Sequence, residues 1–221
     1  MFIYKHTKPI SVVNFNNEDI ALASRLNDIG GTSWDGNAKD DTRYLRGDIT
    51  KRKLLKEKIK KHLLVAQCNY CYYCGISFKF FGPSGTHIDH FYPKDSSNHY
   101  GKYTFEPYNL VLACFRCNGL DYKRQKDYTL NYNDNYMLIT SKIVHPHIDD
   151  ISLHFNVDSG GIIIPINENP DKATFMISEF DLNSSHFVTI RIGQISRVNP
   201  TVENQIANII SARAHIGGIM E

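Results

Sequence analysis

The sequence predicts an α+β fold: an N-terminal helical region, a small centre tied together by cysteines, and a C-terminal hairpin followed by helices. Three observations carry this. Leu55, Ile59, Leu63 and Ala66 recur at helical spacing. Two C-x-x-C turns, at Cys71 and Cys114, frame the middle of the chain. Apolar runs on either side of Asp158-Ser159-Gly160-Gly161 read as two strands joined by a tight turn. The 221 residues are 42% hydrophobic and 22% charged, which suits one folded core with elaborations and excludes a disordered chain. No stretch approaches the roughly 18 apolar residues of a membrane span. The opening MFIYKHTKPI lacks the apolar region and cleavage site of a signal peptide, so a cytoplasmic location is expected.

Each element has a local reason. Residues 18–27 form a short helix, with Asn16 or Asn17 placed to accept from its first free N–H groups. Gly30-Gly31 and the polar run 34–41, which begins with Trp34, read as loop. A longer helix covers 48–67, capped by Asp48 or Thr50. Residues 153–166 make the hairpin and 173–180 a third strand. Asn183 or Ser184 caps a helix running to about Val198, and Pro200 opens a last one, since proline suits a first turn. The chain thus divides into a region 1–67 with the basic helix, a core 68–130, and a C-terminal scaffold or docking region 131–221.

The net charge of +2 names no partner, but its distribution does more. Positions 43–61 hold Arg43, Arg46, Lys51, Arg52, Lys53, Lys56, Lys58, Lys60 and Lys61 against Asp48 and Glu57, a local excess of +7. A basic block on a near-neutral chain suits a surface aimed at phosphates; a solvated helix face is the simpler alternative.

Five cysteines in a cytoplasmic chain do not predict disulfides. Cys71-Tyr72-Tyr73-Cys74-Gly75 and Cys114-Phe115-Arg116-Cys117 supply four thiolates, the number a closed tetrahedral zinc site needs. The two-residue gap lets a tight turn aim both sulfurs at one ion, and Gly75 suits the exit. Cys68 also makes a C-x-x-C with Cys71. The glycine after Cys74 and the place of Cys68 at the end of the basic helix favour Cys71 with Cys74, leaving Cys68 a spare thiol.

Between the two turns lies Thr86-His87-Ile88-Asp89-His90-Phe91-Tyr92-Pro93-Lys94. Asn109 follows 19 residues after His90, and Asn118 nine after Asn109. Histidine, with an ordinary pKa of about 6.5, can take a proton near neutrality. Asp and Asn oxygens suit hard cations such as magnesium and manganese more than zinc. The order C-x-x-C, Asp-His, Asn, C-x-x-C-Asn resembles the HNH endonucleases of the ββα-metal type. That resemblance implies His90 as general base, with activity rising through the histidine range. It implies Asp89 and Asn118 as ligands of a catalytic Mg2+ or Mn2+, Asn109 as the residue that holds the loop and orients His90, and Cys71, Cys74, Cys114 and Cys117 as structural zinc ligands. The implied reaction is phosphodiester hydrolysis in nucleic acid, with DNA favoured over RNA. Lys53, Lys56, Lys60, Lys94, Arg116 and Lys123, with Arg124 and Lys126, read as phosphate contacts, although Lys123 lies slightly farther past Asn118 than is common in the family. His87 and His99 read as structural or surface residues. His145, His147, Asp149, Asp150 and His154 read as a turn leading into the hairpin rather than a second metal site.

The outer layout is similar to the HNH effectors of bacterial anti-phage systems, the PtuB-type proteins of Septu and of some retrons. It runs through Lys5 to Pro9, Trp34, the basic helix, Pro146-His147-Ile148-Asp149-Asp150, His154-Phe155, the run 161–165 and Leu182-Asn183. The likeness implies an ABC/SMC-like ATPase partner. This chain has no G-x-x-x-x-G-K-[ST], so nucleotide hydrolysis by that route would come from another chain. Two other classes compete: a stand-alone restriction-type HNH endonuclease, and a non-catalytic zinc module that binds nucleic acid. The intact set of Asp89, His90 and Asn118 argues against the latter.

Overall fold

A computed structural model describes residues 9–36, 41–94, 99–119, 122–166 and 170–198. Lys5 and the helix expected to open at Pro200 lie outside them. The order is α1 (Asn17–Ile29), α2 (Thr32–Asp35), α3 (Asp48–Ala66), β1 (Thr86–His90), β2 (Leu110–Cys114), α4 (Phe115–Asn118), β3 (Thr129–Asn131), β4 (Thr140–Ser141), β5 (Phe155–Val157), β6 (Ile163–Pro165), α5 (Pro170–Glu179) and α6 (Ser185–Val198). The mixture of helices with two-stranded sheets is the predicted α+β class. Buried apolar side chains from Ile10 to Ile195 form one core. Among the described residues, no helix is long and apolar enough to cross a membrane.

The N-terminal elements build a shelf beside the centre. Asn16 caps α1 in a capping box: its side chain accepts from the Asp19 amide at 2.9 Å, and Asp19 accepts from the Asn16 amide at 3.1 Å. Leu22, Ala23 and Leu26 bury its inner face. Thr32–Asp35, expected as the edge of a loop, is instead one helical turn that drives Trp34 into the core. Long-range packing of a large aromatic overrides the local glycine signal here.

The long helix α3 buries Leu55, Ile59 and Leu63 as its spacing predicts, with Ala66 partly covered. Neither Asp48 nor Thr50 caps it. Gly47, with a φ of 89°, makes the entry, and the Asp48 carboxylate turns inward to accept from Arg25 at 2.9 Å and the Leu45 amide at 3.0 Å. Beyond the helix, Gln67 docks on β2 through both ends of its amide. It accepts from the Leu112 N–H at 2.7 Å and donates to the Leu112 carbonyl at 2.9 Å.

Strands β1 and β2 pair antiparallel from Thr86 opposite Cys114 to His90 opposite Leu110. Every residue of β2 is buried, so this small sheet is a fixed floor. The predicted hairpin is present as β5 and β6. The predicted third strand is not: 173–180 lies in α5 and the turn after it. The reason is period. Ala173, Met176 and Phe180 are the buried residues of this stretch, and steps of three and four put them on one helical face. Helix α6 then reaches back to the first cysteine turn. Its Gln194 accepts from the Ser77 amide at 2.6 Å and donates to the Gly75 carbonyl at 3.3 Å.

Candidate active site

The cysteine centre comes first, because it holds the rest. Tyr70 bridges to Ser77, and the Cys71 amide donates to Ile76 at 2.9 Å. The tight turn between them closes through Gly75, whose φ of 66° is left-handed and whose N–H donates to Cys71 at 3.0 Å. The second pair sits where β2 ends and α4 begins. All four sulfurs, of Cys71, Cys74, Cys114 and Cys117, lie within 4.8 Å of one another and are buried. Cys74 and Cys114 approach to 3.9 Å, far beyond a disulfide bond but close to the separation of two thiolates sharing one zinc. Neighbouring thiol donors push Cys114 strongly down, while burial pushes Cys74 and Cys117 well up. A soft divalent cation relieves that crowding by holding all four as thiolates, so the donor set fits zinc. Cys68 is exposed and outside the cluster.

Asp89 and His90 are the last two residues of β1, and successive strand residues face opposite ways. The Asp89 carboxylate is buried toward the cysteine turn. Its Oδ2 accepts from the Tyr73 hydroxyl at 2.5 Å, and its Oδ1 lies 3.3 Å from the Lys123 ammonium. Burial pushes the Asp89 carboxyl above its ordinary value, against the pull of Lys123 and Tyr73. Burial and the Asp89 charge push Tyr73 well up, so it remains a donor.

Lys123 departs from its expected surface role. It is fully buried, and its ammonium also donates to the His90 carbonyl at 2.6 Å. A cation held under the strand by a carboxylate is structural here rather than a free phosphate contact. Removing one partner of a buried ion pair costs about 3–5 kcal/mol. Lys123→Met should therefore lower the urea midpoint clearly, and an unchanged midpoint would show that the pair contributes nothing.

His90 faces the other side. Its Nε2 is 3.0 Å from the Thr104 carbonyl, which can only accept, so Nε2 carries the hydrogen and Nδ1 holds the lone pair. Trp34 meets the ring edge-on with centroids 4.5 Å apart. Burial pushes the imidazole down to about 3, with the charges of Lys94, Lys123 and Lys56 acting the same way. The lone pair thus persists well below the range in which an ordinary histidine would gain a proton, so the rise of activity through the ordinary histidine range that the sequence suggests is not expected of this buried ring.

Asn109 is fully buried and ties the surrounding loops together. Its Oδ1 accepts from the Tyr92 amide at 2.7 Å, and its Nδ2 donates to the Tyr92 and Tyr103 carbonyls, each at 3.1 Å. Tyr103 precedes the Thr104 that holds His90. Asn118 is the last residue of the one-turn helix α4. Its amide lies 3.5 Å from His87 Nδ1. Asp89, His90 and Asn118 all line one cavity of about 360 Å³.

Trp34, Asp35 and Arg124 also line this cavity, as does Lys94, which pairs with Asp35 at 2.7 Å. Sequence reasoning singled out Trp34 but assigned neither it nor Asp35 to the site. The adjoining hollow is lined by Trp34, Lys56, Lys60 and His87. Lys56 lies 4.2 Å from the Trp34 ring centre, and Lys60 donates to the Thr86 carbonyl at 2.9 Å. Lys53 is exposed on the same helix. Arg116 packs near the Phe187 ring of α6. Of the histidine-rich turn, His147 lies between the Ile10 and Leu110 carbonyls, and His145 meets the Tyr136 hydroxyl at 3.0 Å. Among the described residues, the four cysteines alone group as metal-capable His, Cys, Asp or Glu.

No curated protein matches the chain. The family model described as HNH endonuclease matches residues 71–124, from Cys71 to just past Lys123, so this part of the chain is similar to an HNH endonuclease domain.

Proposed function

We propose that the chain hydrolyses phosphodiester bonds in nucleic acid, DNA before RNA, with His90 as general base and Asp89 and Asn118 as the protein ligands of a catalytic Mg2+ or Mn2+. The observation that carries this is the tautomer of His90. The Thr104 carbonyl claims Nε2–H, which leaves Nδ1 unprotonated on the imidazole of a cavity that Asp89 and Asn118 also line. Nδ1 takes the proton of an attacking water, and Thr104, itself beside the Asn109-held Tyr103, keeps the ring in place. The oxygens of Asp89 and Asn118 would hold a hard cation, which when bound supplies charge stabilisation for the phosphate and the leaving oxygen. Lys94 and Arg124 line the cavity, and Lys56 and Lys60 continue its cationic wall. The test is cleavage of supercoiled DNA and of RNA by the purified protein with Mg2+ or Mn2+; no cleavage of either with any partner present overturns the reading.

Charge reversal of Lys53, Lys56 and Lys60 to Glu should weaken nucleic-acid binding and flatten its salt dependence, because phosphate contacts act by releasing counterions. An unchanged salt slope would return α3 to a solvated face or a docking surface. On the same reading the chain is the cytoplasmic nuclease effector of an anti-phage system, acting with an ABC/SMC-like ATPase. The outer motifs around Trp34 and 146–155 support that assignment. An ATPase gene beside this one would favour it, and a methyltransferase gene would favour a restriction enzyme.

A further inference from the structure

We infer that Tyr73, inside the first cysteine turn, is a positioning residue that decides which oxygen of Asp89 a catalytic cation meets. This rests on the nuclease reading above. Tyr73 is fully buried, and its ring lies stacked on Phe180, with centroids 4.6 Å apart and planes 11° from parallel. Its backbone is pinned on both sides, since Cys71 and Cys74 belong to the same sulfur cluster. Its hydroxyl therefore has little freedom, and it spends its one hydrogen on Asp89 Oδ2 at 2.5 Å.

The two oxygens of Asp89 are consequently unequal. Oδ2 is held by a short, rigidly placed donor. Oδ1 faces Lys123 at 3.3 Å, longer than the roughly 2.7–2.9 Å of a strong charge-assisted bond, and Lys123 makes its closer contact, 2.6 Å, with the His90 carbonyl. Oδ1 is the oxygen with capacity to spare, so Asp89 offers a cation one oxygen in a fixed direction. The structural turn and the catalytic carboxylate form one mechanical unit: the zinc ligands place Tyr73, and Tyr73 places Asp89. Hydrogen-bond partners of metal ligands typically govern affinity or activity by about 10–100-fold.

The test is Mn2+ binding to the full, zinc-loaded chain, read by calorimetry and by the electron-paramagnetic-resonance signal of free Mn2+. Tyr73→Phe keeps the stacked ring and removes the hydroxyl. It should weaken Mn2+ binding about 10-fold or more while zinc content holds and the chain stays folded, with a melting temperature lowered only modestly by the lost buried hydrogen bond. In cleavage assays its loss should shrink as Mn2+ is raised. Asp89→Asn should weaken Mn2+ binding on its own, and adding Tyr73→Phe to it should cost nothing further, because the hydroxyl acts through the carboxylate. Mn2+ binding as tight as wild type in Tyr73→Phe, a full second loss in the double variant, or loss of zinc from Tyr73→Phe would each overturn the inference. A wild type that neither binds Mn2+ nor cleaves overturns the nuclease reading and this inference with it. A wild type that does both, beside an unaffected Tyr73→Phe, overturns this inference alone.

Discussion

Removing the metal from the four-cysteine cluster is expected to unfold the centre of the protein. Structural zinc in zinc-finger peptides contributes about 10–16 kcal/mol of apparent binding free energy. A whole domain is stable by only about 5–15 kcal/mol, so even a fraction of the zinc contribution exceeds the margin. The cluster ties the turn at Cys71 to the end of β2 at Cys114, and β2 is the floor on which Gln67 and β1 rest. Elemental analysis should find about one zinc per chain. A strong chelator should lower the melting temperature steeply or abolish the transition. Replacing Cys71, Cys74, Cys114 or Cys117 with Ser should do the same, while Cys68→Ser, at an exposed thiol, should not. A chelated protein that melts like the untreated one, or damage from Cys68→Ser with none from Cys74→Ser, would show the ligand set to be wrong.

His90→Ala should abolish cleavage in a chain that keeps its zinc. Loss of a general base costs about 10²–10⁴-fold in rate. The substitution also removes a ring packed against Trp34, so the melting temperature must be followed in parallel. Two controls separate proton transfer from cation binding. Excess Mn2+ should leave His90→Ala inactive, because no proposed ligand is missing. Added imidazole should restore part of its rate, because the space once filled by the ring can admit a free base. Full activity in His90→Ala would end the proposed mechanism.

The parts legible in the sequence are those whose chemistry is local. Cys71 with Cys74, and Cys114 with Cys117, announce themselves by a two-residue gap, and their meeting requires one metal rather than a detailed fold. The buried face of α3 is legible because Leu55, Ile59 and Leu63 repeat at a single period. Other groups come into place only through tertiary contact. Lys123 reads as one more basic residue among several, yet it is folded under Asp89. Trp34 and Asp35 enter the cavity from a turn too short to show a period. Tyr73 is hidden by its own motif, whose spacing draws attention to the sulfurs on either side. The error at 173–180 has the same root. Judged residue by residue, Phe175, Met176 and Ile177 suit a strand, and only the faces they meet reveal the helix.

The clamp made by Gln194 bears on how the protein is synthesised. The first cysteine turn leaves the ribosome before its metal partners, which lie about 40 residues downstream, and before the Gln194 that grips its backbone, 117 residues beyond Ser77. Domains acquire structure as they emerge, and contacts of such long separation close slowly. Until Cys114 and Cys117 emerge, the nascent chain carries Cys71 and Cys74 as reactive thiols in need of protection. The segment holding Asp89 and His90 is made well before α6, yet its setting is completed only when that helix arrives.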